Sequence, residues 1–534
     1  MKKITTLILI CLTSTLSAQF SGDPVNPFYV CNATSTQSNV TALSDGNGGY
    51  YTFWLDKRLN GSDNSVYGQH LDATGHELWT TNGKPIVQTV KSATAYRVTR
   101  VKNKILVTWI QEADSILCKL IDSNGNDVWA QPTVVAKVGG GIIYMQNSGF
   151  NVFENDSGAT ITFSYIYTGG SSLFGFNRVD DNGILQWPIN NFVLPTSGYD
   201  YRTQQDGLNG FYLLGKGNGL GSGFYMQHYN LQGIASWPAF FEITGGGGLN
   251  GLGGNINMHN DADGNLYVVW DANNGRTLVT KVTLQGNHGW SPNRIELSSI
   301  VNSQSRCNSL LWGNRLYAIW NDSRVSGNSD LYMQMIDTAG TPAWTINGIF
   351  VAEQNYYYNY AKLAYSDSNT VVAFYLGLTD LSTYAQRIHL DSTLSWPGNG
   401  IELVATPSSW ISYSDAVAIS DSNGCNALFY AATNGNVIGT KLCGDGVLVK
   451  TNELSQPGFE MYPNPAYSVL NFNFENESLA DQINIYSIRG ELLQNHQVNQ
   501  SVNKQVDISQ LSPGMYIVAV IKDGISSNKK LIVQ

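Results

Sequence analysis

The sequence predicts an all-β protein in which one four-stranded unit recurs along most of the chain, followed by a small separate β domain. Three observations predict it. Gly is abundant (54), Tyr (29) and Trp (13) are numerous, and charged residues make up only 13 %; glycine suits turns and aromatics suit pleated, half-buried surfaces. Short apolar runs alternate with Gly, Asn and Asp turns, the pattern of strands rather than helices. A Gly-x-x-x-Trp tag then returns at a near-constant step, as Gly75/Trp79, Gly125/Trp129, Gly183/Trp187, Gly233/Trp237, Gly286/Trp290 and Gly340/Trp344. A seventh copy keeps Trp396 with Ser392 in the glycine place, and an eighth keeps Gly446 with Lys450 in the tryptophan place. Successive copies lie 50, 58, 50, 53, 54, 52 and 54 residues apart.

In chain order, residues 1–18 come first. Lys2 and Lys3 precede an apolar run over 4–12 and small residues at Ser17 and Ala18. This is the layout of a secretory signal peptide, too short to span a bilayer, with cleavage expected near Ala18 or Gln19. Ile10 stands before Cys11 where lipoprotein signals carry a small residue, so a lipid anchor is not expected. No other run is long and apolar enough for a membrane helix, and no transmembrane span is expected in the mature chain.

Residues 20–455 hold the repeat, clearest over 49–87. There an apolar strand ends at Trp54, a polar loop follows, and a second strand carries Tyr67 and Gln69 before the Gly turn. The strand before the polar loop is expected at 50–54, 104–109, 158–164, 210–214, 265–270, 314–320, 369–375 and 426–430. Most occurrences follow a turn signal such as SDGNGG, NDSG, DADGN or SDSNG. Four short antiparallel strands in about 50 residues is the content of one β-propeller blade. The expected architecture is therefore a β-propeller of eight blades, with seven as the alternative because the last copy lacks its tryptophan. PFYVC, at 27–31, reads as a strand that closes the ring by pairing with the last repeat. The tagged tryptophan is expected between neighbouring blades, where its ring is buried and its N–H still finds an acceptor.

The unit resembles a degenerate repeat of secreted bacterial proteins: apolar-W-x-D-x-R, a polar loop, Y-x-Q-x-L-D, G-x-x-x-W and N-G. Residues 53–87 fit it closely, and 319–351 almost as well through Trp320, Asp322, Arg324, Tyr332, Gln334, Asp337, Asn347 and Gly348. That resemblance implies a repeat type and leaves the ligand open.

After Thr451 the pattern changes, and SQPGFE reads as a linker. Residues 456–534 show alternating strands joined by Gly, Asn and Pro turns, the pattern of a small Ig-like β-sandwich. Tyr462-Pro463-Asn464-Pro465, the strand Ile485-Tyr486 leading to Gly490, Asp507-Ile508-Ser509 with Leu511, Gly514-Met515-Tyr516 and the terminal Lys529-Lys530-Leu531-Ile532-Val533 carry a specific match. Through them, 459–534 resembles the C-terminal sorting domain of the type IX secretion system. The resemblance implies Sec-dependent export to the periplasm, passage across the outer membrane by the type IX machinery, and a secreted or cell-surface product.

Chemistry is sparse in the remaining motifs. The formal charge of −10, without a Lys/Arg cluster, argues against nucleic acid as a partner. The seven histidines, at 70, 76, 228, 259, 288, 389 and 496, show no metal-ligand spacing. His70, His228 and His389 are expected at exposed strand positions. No G-x-S-x-G elbow stands out, and the glycine run at 245–254 precedes no helix pattern. Asp56, Asp63 and Asn64, and Asp322, Asn328 and Asp330, offer hard oxygen ligands to Ca²⁺, but Asp and Asn equally cap turns. Asp261, Asp263 and Asn265 resemble a calcium loop only superficially. Calcium is thus the one cofactor considered, and none is expected.

Cys425 and Cys443 flank two adjacent strands joined by a turn at Asn434-Gly435. Folding there brings them nearly opposite and allows a disulfide in an oxidising compartment, two buried thiols being the alternative. Cys31, Cys118 and Cys307 have no evident partner. The functional expectation is a non-enzymatic binding or surface-structural module, toward glycan or protein. The alternative is a secreted carbohydrate-active enzyme, a glycosidase or lyase, with carboxylates at the channel mouth.

Overall fold

The computed structural model describes residues 20–534 apart from 60, 62, 89–90, 140, 171, 190–192, 195–197, 218–223, 244–254, 273–274, 301–303, 326–328, 354–360, 368, 378–381, 406–415, 445–446, 449–458, 475–480, 489–490, 499–502 and 523–524. The expected signal peptide, the 245–254 glycine run, Asn328, Gly446, Lys450 and Gly490 lie outside the described residues. Among the described residues every element is a strand. The chain forms two compact units, Met1–Val449 and Lys450–Gln534.

In the first unit, Gln37–Ser44, Tyr50–Asp56, Ser65–Leu71 and Lys84–Val87 form an antiparallel sheet in chain order. We call it sheet 1. Six more four-stranded meanders follow over 93–137, 142–194, 198–242, 256–296, 304–352 and 362–404, as sheets 2 to 7. Sheet 8 takes its first three strands from Ala416–Ser420, Asn426–Ala431 and Val437–Cys443. Its outer place is filled by Phe28–Cys31, with Phe28 opposite Gly439, Tyr29 opposite Ile438 and Cys31 opposite Val437. Val447–Leu448 also pairs with Val437–Cys443.

Each second strand is the apolar run read from the sequence, and most of its residues are buried because both faces are covered. YYTFWLD at Tyr50–Asp56 is buried at every position. The covering is sequential. One core cluster joins each pair of successive sheets, from Phe53, Val66 and Val107 between sheets 1 and 2 to Phe374, Leu403 and Leu428 between sheets 7 and 8. An eighth cluster, with Val30, Val40, Tyr50, Trp54, Phe429 and Val437, joins sheet 8 to sheet 1. Burying a large apolar side chain such as Trp54 or Phe429 stabilises by about 1.5–3 kcal/mol, so each junction is a core in its own right.

The motif residues build those junctions. Gln69 accepts from the amides of His70 (3.0 Å) and Trp79 (3.0 Å) and donates to Thr80 O (2.9 Å). Gln227, Gln334 and Gln386 repeat this pattern, and Asn177 does so in sheet 3. The side chain thus satisfies backbone groups that the turn leaves unpaired. The tagged tryptophans then reach forward. The indole N–H of Trp79 donates to Ser123 O, Trp129 to Asp181 O, Trp237 to Leu284 O, Trp290 to Thr338 O and Trp344 to Leu390 O, at 2.9–3.1 Å. Each acceptor lies two residues before the next copy's turn glycine or Ser392.

That geometry explains the glycine of the tag. Gly340 has φ +86°, and a Cβ there would stand 2.8 Å from the Trp290 ring. The position needs both a left-handed backbone and room for the preceding unit's indole.

The second unit has two antiparallel sheets. Phe459–Tyr462, Val469–Phe474 and Asn503–Asp507 form one. The other is ordered Leu492–Gln497, Gln482–Ser487, Gly514–Lys522 and Ile525–Val533. One core containing Phe459, Leu470, Phe472, Ile483, Ile485, Val506, Val518 and Leu531 is shared by the two sheets.

Candidate functional site

The acidic loop residues are engaged with their own surroundings. Asp56, fully buried, accepts from the Trp54 indole (2.9 Å), the Arg58 amide (2.8 Å) and the Arg58 guanidinium. Asp322 accepts in the same way from Trp320 and Arg324. Asp261 accepts from the amides of Asp263 (3.1 Å) and Asn265 (2.8 Å) and pairs with Lys281 (3.4 Å). Among the described residues no three His, Cys, Asp or Glu side chains gather as a metal cage.

The histidine expectation needs correction. His228 is buried, and His70 and His389 are half-buried. His389 lies 2.7 Å from Ser395 Oγ, and for His70 and His228 the cause is a recurring pair that the sequence does not announce. In four sheets a hairpin aspartate meets a base on the third strand: Asp45–His70 (3.2 Å), Asp206–His228 (2.9 Å), Asp261–Lys281 and Asp421–Lys441 (2.7 Å). Each aspartate also caps its own turn through two backbone amides. At Asp206, burial raises the carboxyl pKa, but the His228 bond and the Leu208 and Gly210 amides outweigh it and hold the group below its ordinary value.

Ser236 Oγ lies 2.8 Å from His228 Nδ1, completing a Ser–His–Asp array. Recurrence decides its meaning. Lysine takes the histidine's place in sheets 5 and 8, so the aspartate–base pair recurs as part of the repeat's construction.

Cys425 and Cys443 are joined by a disulfide, Cα–Cα 4.3 Å, across the second and third strands of sheet 8. Cys31, Cys118 and Cys307 are buried free thiols, and burial pushes each thiol pKa up.

The chemistry that remains lies on the first strands. Thr41, Arg97, Asn151, Arg202, Asn257, Asn308, Lys362 and Val417 all stand at one level, opposite equivalent positions of the second strands. None of the eight is fully buried, and none is acidic. Just before this level the strands bulge, with Asn39 (φ 53°), Gly149 (φ 66°), Asp200 (φ 56°) and Arg306 (φ 58°) in left-handed conformations. Bulges re-aim side chains and concentrate at functional edges. Between the first strands of sheets 8, 1, 2 and 3 lies a cavity of about 630 Å³, lined by Thr41, Arg97, Asn147, Asn151 and Val417 among others. That volume is within the range of small-molecule sites.

Some of this set is structural. Asn151 donates to Thr203 O (3.2 Å) and Asn257 to Cys307 O (3.1 Å), each tying its sheet to the next. Arg202 pairs with Asp200 at 2.5 Å. Arg97 donates to its neighbour's carbonyl, Tyr96 O (2.8 Å), and lies 5.5 Å from the Phe150 ring centroid. Arg97 is exposed at its strand position, and partial desolvation by the surrounding protein lowers its pKa from the ordinary value.

In the second unit, Asn464 holds the Tyr462-to-Pro465 loop to the last strand, donating to Lys530 O (2.7 Å) and accepting from Ile532 N (2.9 Å). Lys529 donates to Phe459 O and lies over that ring at 5.0 Å. Tyr516 donates to Ser512 O (2.6 Å), where Gly514 begins the central strand. Tyr462, Pro463 and Lys530 are on the surface.

These features define an all-β repeat protein carrying a separate terminal sandwich-like unit. Residues 460–534 match the family of the secretion system C-terminal sorting domain, so this segment is a type IX sorting domain. It marks export through that machinery to the cell surface or extracellular space. No curated protein matches the chain. Among solved structures, the BP39L lectin from Burkholderia pseudomallei is 11% identical with a TM-score of 0.43, covering 69% of this chain and 99% of that chain. A puromycin hydrolase is 11% identical (TM-score 0.41; 78% and 62%), and the Hadza microbial sialidase Hz136 is 10% identical (TM-score 0.36; 56% and 66%). The chain spans 62% of the puromycin hydrolase and 56% of a prolyl endopeptidase, under two thirds of either. Among the described residues no helix is long and apolar enough to cross a membrane.

Proposed function

We propose that residues 20–455 form a closed eight-bladed β-propeller, exported by the type IX route, that acts as a non-enzymatic binding module with its ligand site at the inner strands. The closure reading is supported by the core shared between sheets 8 and 1 and by the N-terminal strand in the outer place of sheet 8. A repeated contact supports it further. Asn347 Oδ1 accepts from Ser299 N and Asn399 Oδ1 from Glu353 N, each just past the preceding sheet's outer strand. Asn82 Oδ1 accepts from Asn32 N in the same way, so Phe28–Cys31 plays the fourth strand of sheet 8.

The observation that carries the binding reading is the cavity among four first strands, lined by polar groups at a level without carboxylates. A glycosidase of the usual kind needs two carboxyl groups flanking its substrate, which this level does not supply. The test is a glycan and protein binding screen with the full chain, run beside hydrolysis assays on the same glycans. Binding without turnover is expected; turnover of any glycan on the panel, or binding that no cavity substitution affects, would overturn the reading.

A further inference from the structure

The cavity has a chemical bias that the overall charge hides. The chain carries a formal charge of −10. The level of first-strand residues nonetheless holds Arg97, Arg202 and Lys362 and no acid. Of the three, Arg97 lines the cavity. Among the described residues its contacts are a neighbouring carbonyl and an aromatic ring, neither of which neutralises it. Among the described lining residues none is Asp or Glu.

The guanidinium stays protonated, and a cation in a concave wall whose described residues include no acid favours anions there. Its planar fork matches a carboxylate or another oxyanion. The neighbouring groups add a second requirement. Thr41 offers a hydroxyl and Asn147, exposed on the bulge of sheet 3, an amide. Both donate and accept hydrogen bonds, as a hydroxyl-bearing ligand demands.

We propose that this cavity binds an acidic sugar, its carboxylate on Arg97 and its hydroxyls on Thr41 and Asn147. The inference rests on the binding-module reading above and names the ligand class of the same site.

The experiment is calorimetric titration of the full chain with digalacturonate, with its neutral counterpart galactobiose, and with sodium sulfate. Variants are Arg97→Gln, which keeps the hydrogen bonding and removes the charge, and Asn147→Trp, which fills the cavity. Unchanged far-UV dichroism and melting temperature establish that each variant folds. Digalacturonate should bind the parent protein at least 10-fold more tightly than galactobiose does. Arg97→Gln should remove that preference, and Asn147→Trp should abolish binding.

No binding of digalacturonate, or equal binding by the parent and Arg97→Gln, overturns the proposal. Sulfate matching digalacturonate overturns the sugar part and leaves a bare oxyanion site. Galactobiose binding that Asn147→Trp abolishes and Arg97→Gln spares keeps the binding-module reading while the acidic-ligand inference fails. Loss of neither ligand in Asn147→Trp removes this cavity as the site under both.

Discussion

At the scale of single residues, the repeated Gln is the strut of the unit. Gln334 is fully buried and satisfies the Met335 and Trp344 amides and the Thr345 carbonyl. Gln334→Ala strands those groups, and a buried unsatisfied polar group costs about 1–3 kcal/mol. Denaturant unfolding should report a loss in that range; no loss would mean that water replaces the amide. His259 gives a pH test. Burial lowers its pKa to about 4 from about 6.5 in an unfolded chain, so the fold favours the neutral ring. The stability it contributes is complete above the unfolded value and is lost as pH falls through the folded value. Melting temperatures measured from pH 7 to pH 4 should therefore decline less in His259→Gln than in the parent. Parallel declines would contradict this source of acid sensitivity.

Elements were legible in proportion to how strictly packing constrains them. Second strands are covered on both faces, so their apolar runs stand out, and YYTFW lies inside Tyr50–Asp56 as read. PFYVC was legible as a short apolar run, though as an outer strand it leaves Tyr29 exposed. The first strands were less so, because they are only half-buried and carry Thr, Arg, Asn, Lys or Val at one level. Nor does any local pattern reveal the Asp–base pairs, since His70, His228, Lys281 and Lys441 differ in type and meet their partners only through sheet register. The Asn434-Gly435 turn did expose the register that brings Cys425 to Cys443. Replacing both cysteines by serine should lower stability by about 3 kcal/mol, the loop-entropy value for a crosslink of this span. Equal unfolding midpoints for parent and variant would show that sheet 8 needs no staple.

For the whole molecule, the two units separate destination from activity. Residues 460–534 carry the sorting match, so a chain ending at 459 should accumulate in the periplasm, as fractionation would show. Surface delivery of the truncated chain would refute the export role. The binding account depends instead on the repeats forming a ring, because only then do eight first strands surround one axis. The repeat spacing pointed to eight units with seven as the alternative, whereas the contacts between the last sheet and the first join residues hundreds of positions apart, such as Lys441 with Gly48 and Ala73.

Closure can be measured directly at the pair Tyr29 and Ile438, which stand opposite each other in the seam. Facing residues of paired strands are within disulfide reach. In the double variant Tyr29→Cys/Ile438→Cys, peptide mapping without reduction should find a 29–438 crosslink in nearly all molecules, with a raised melting temperature. A folded double variant in which positions 29 and 438 remain free thiols under oxidising conditions would contradict the closed ring.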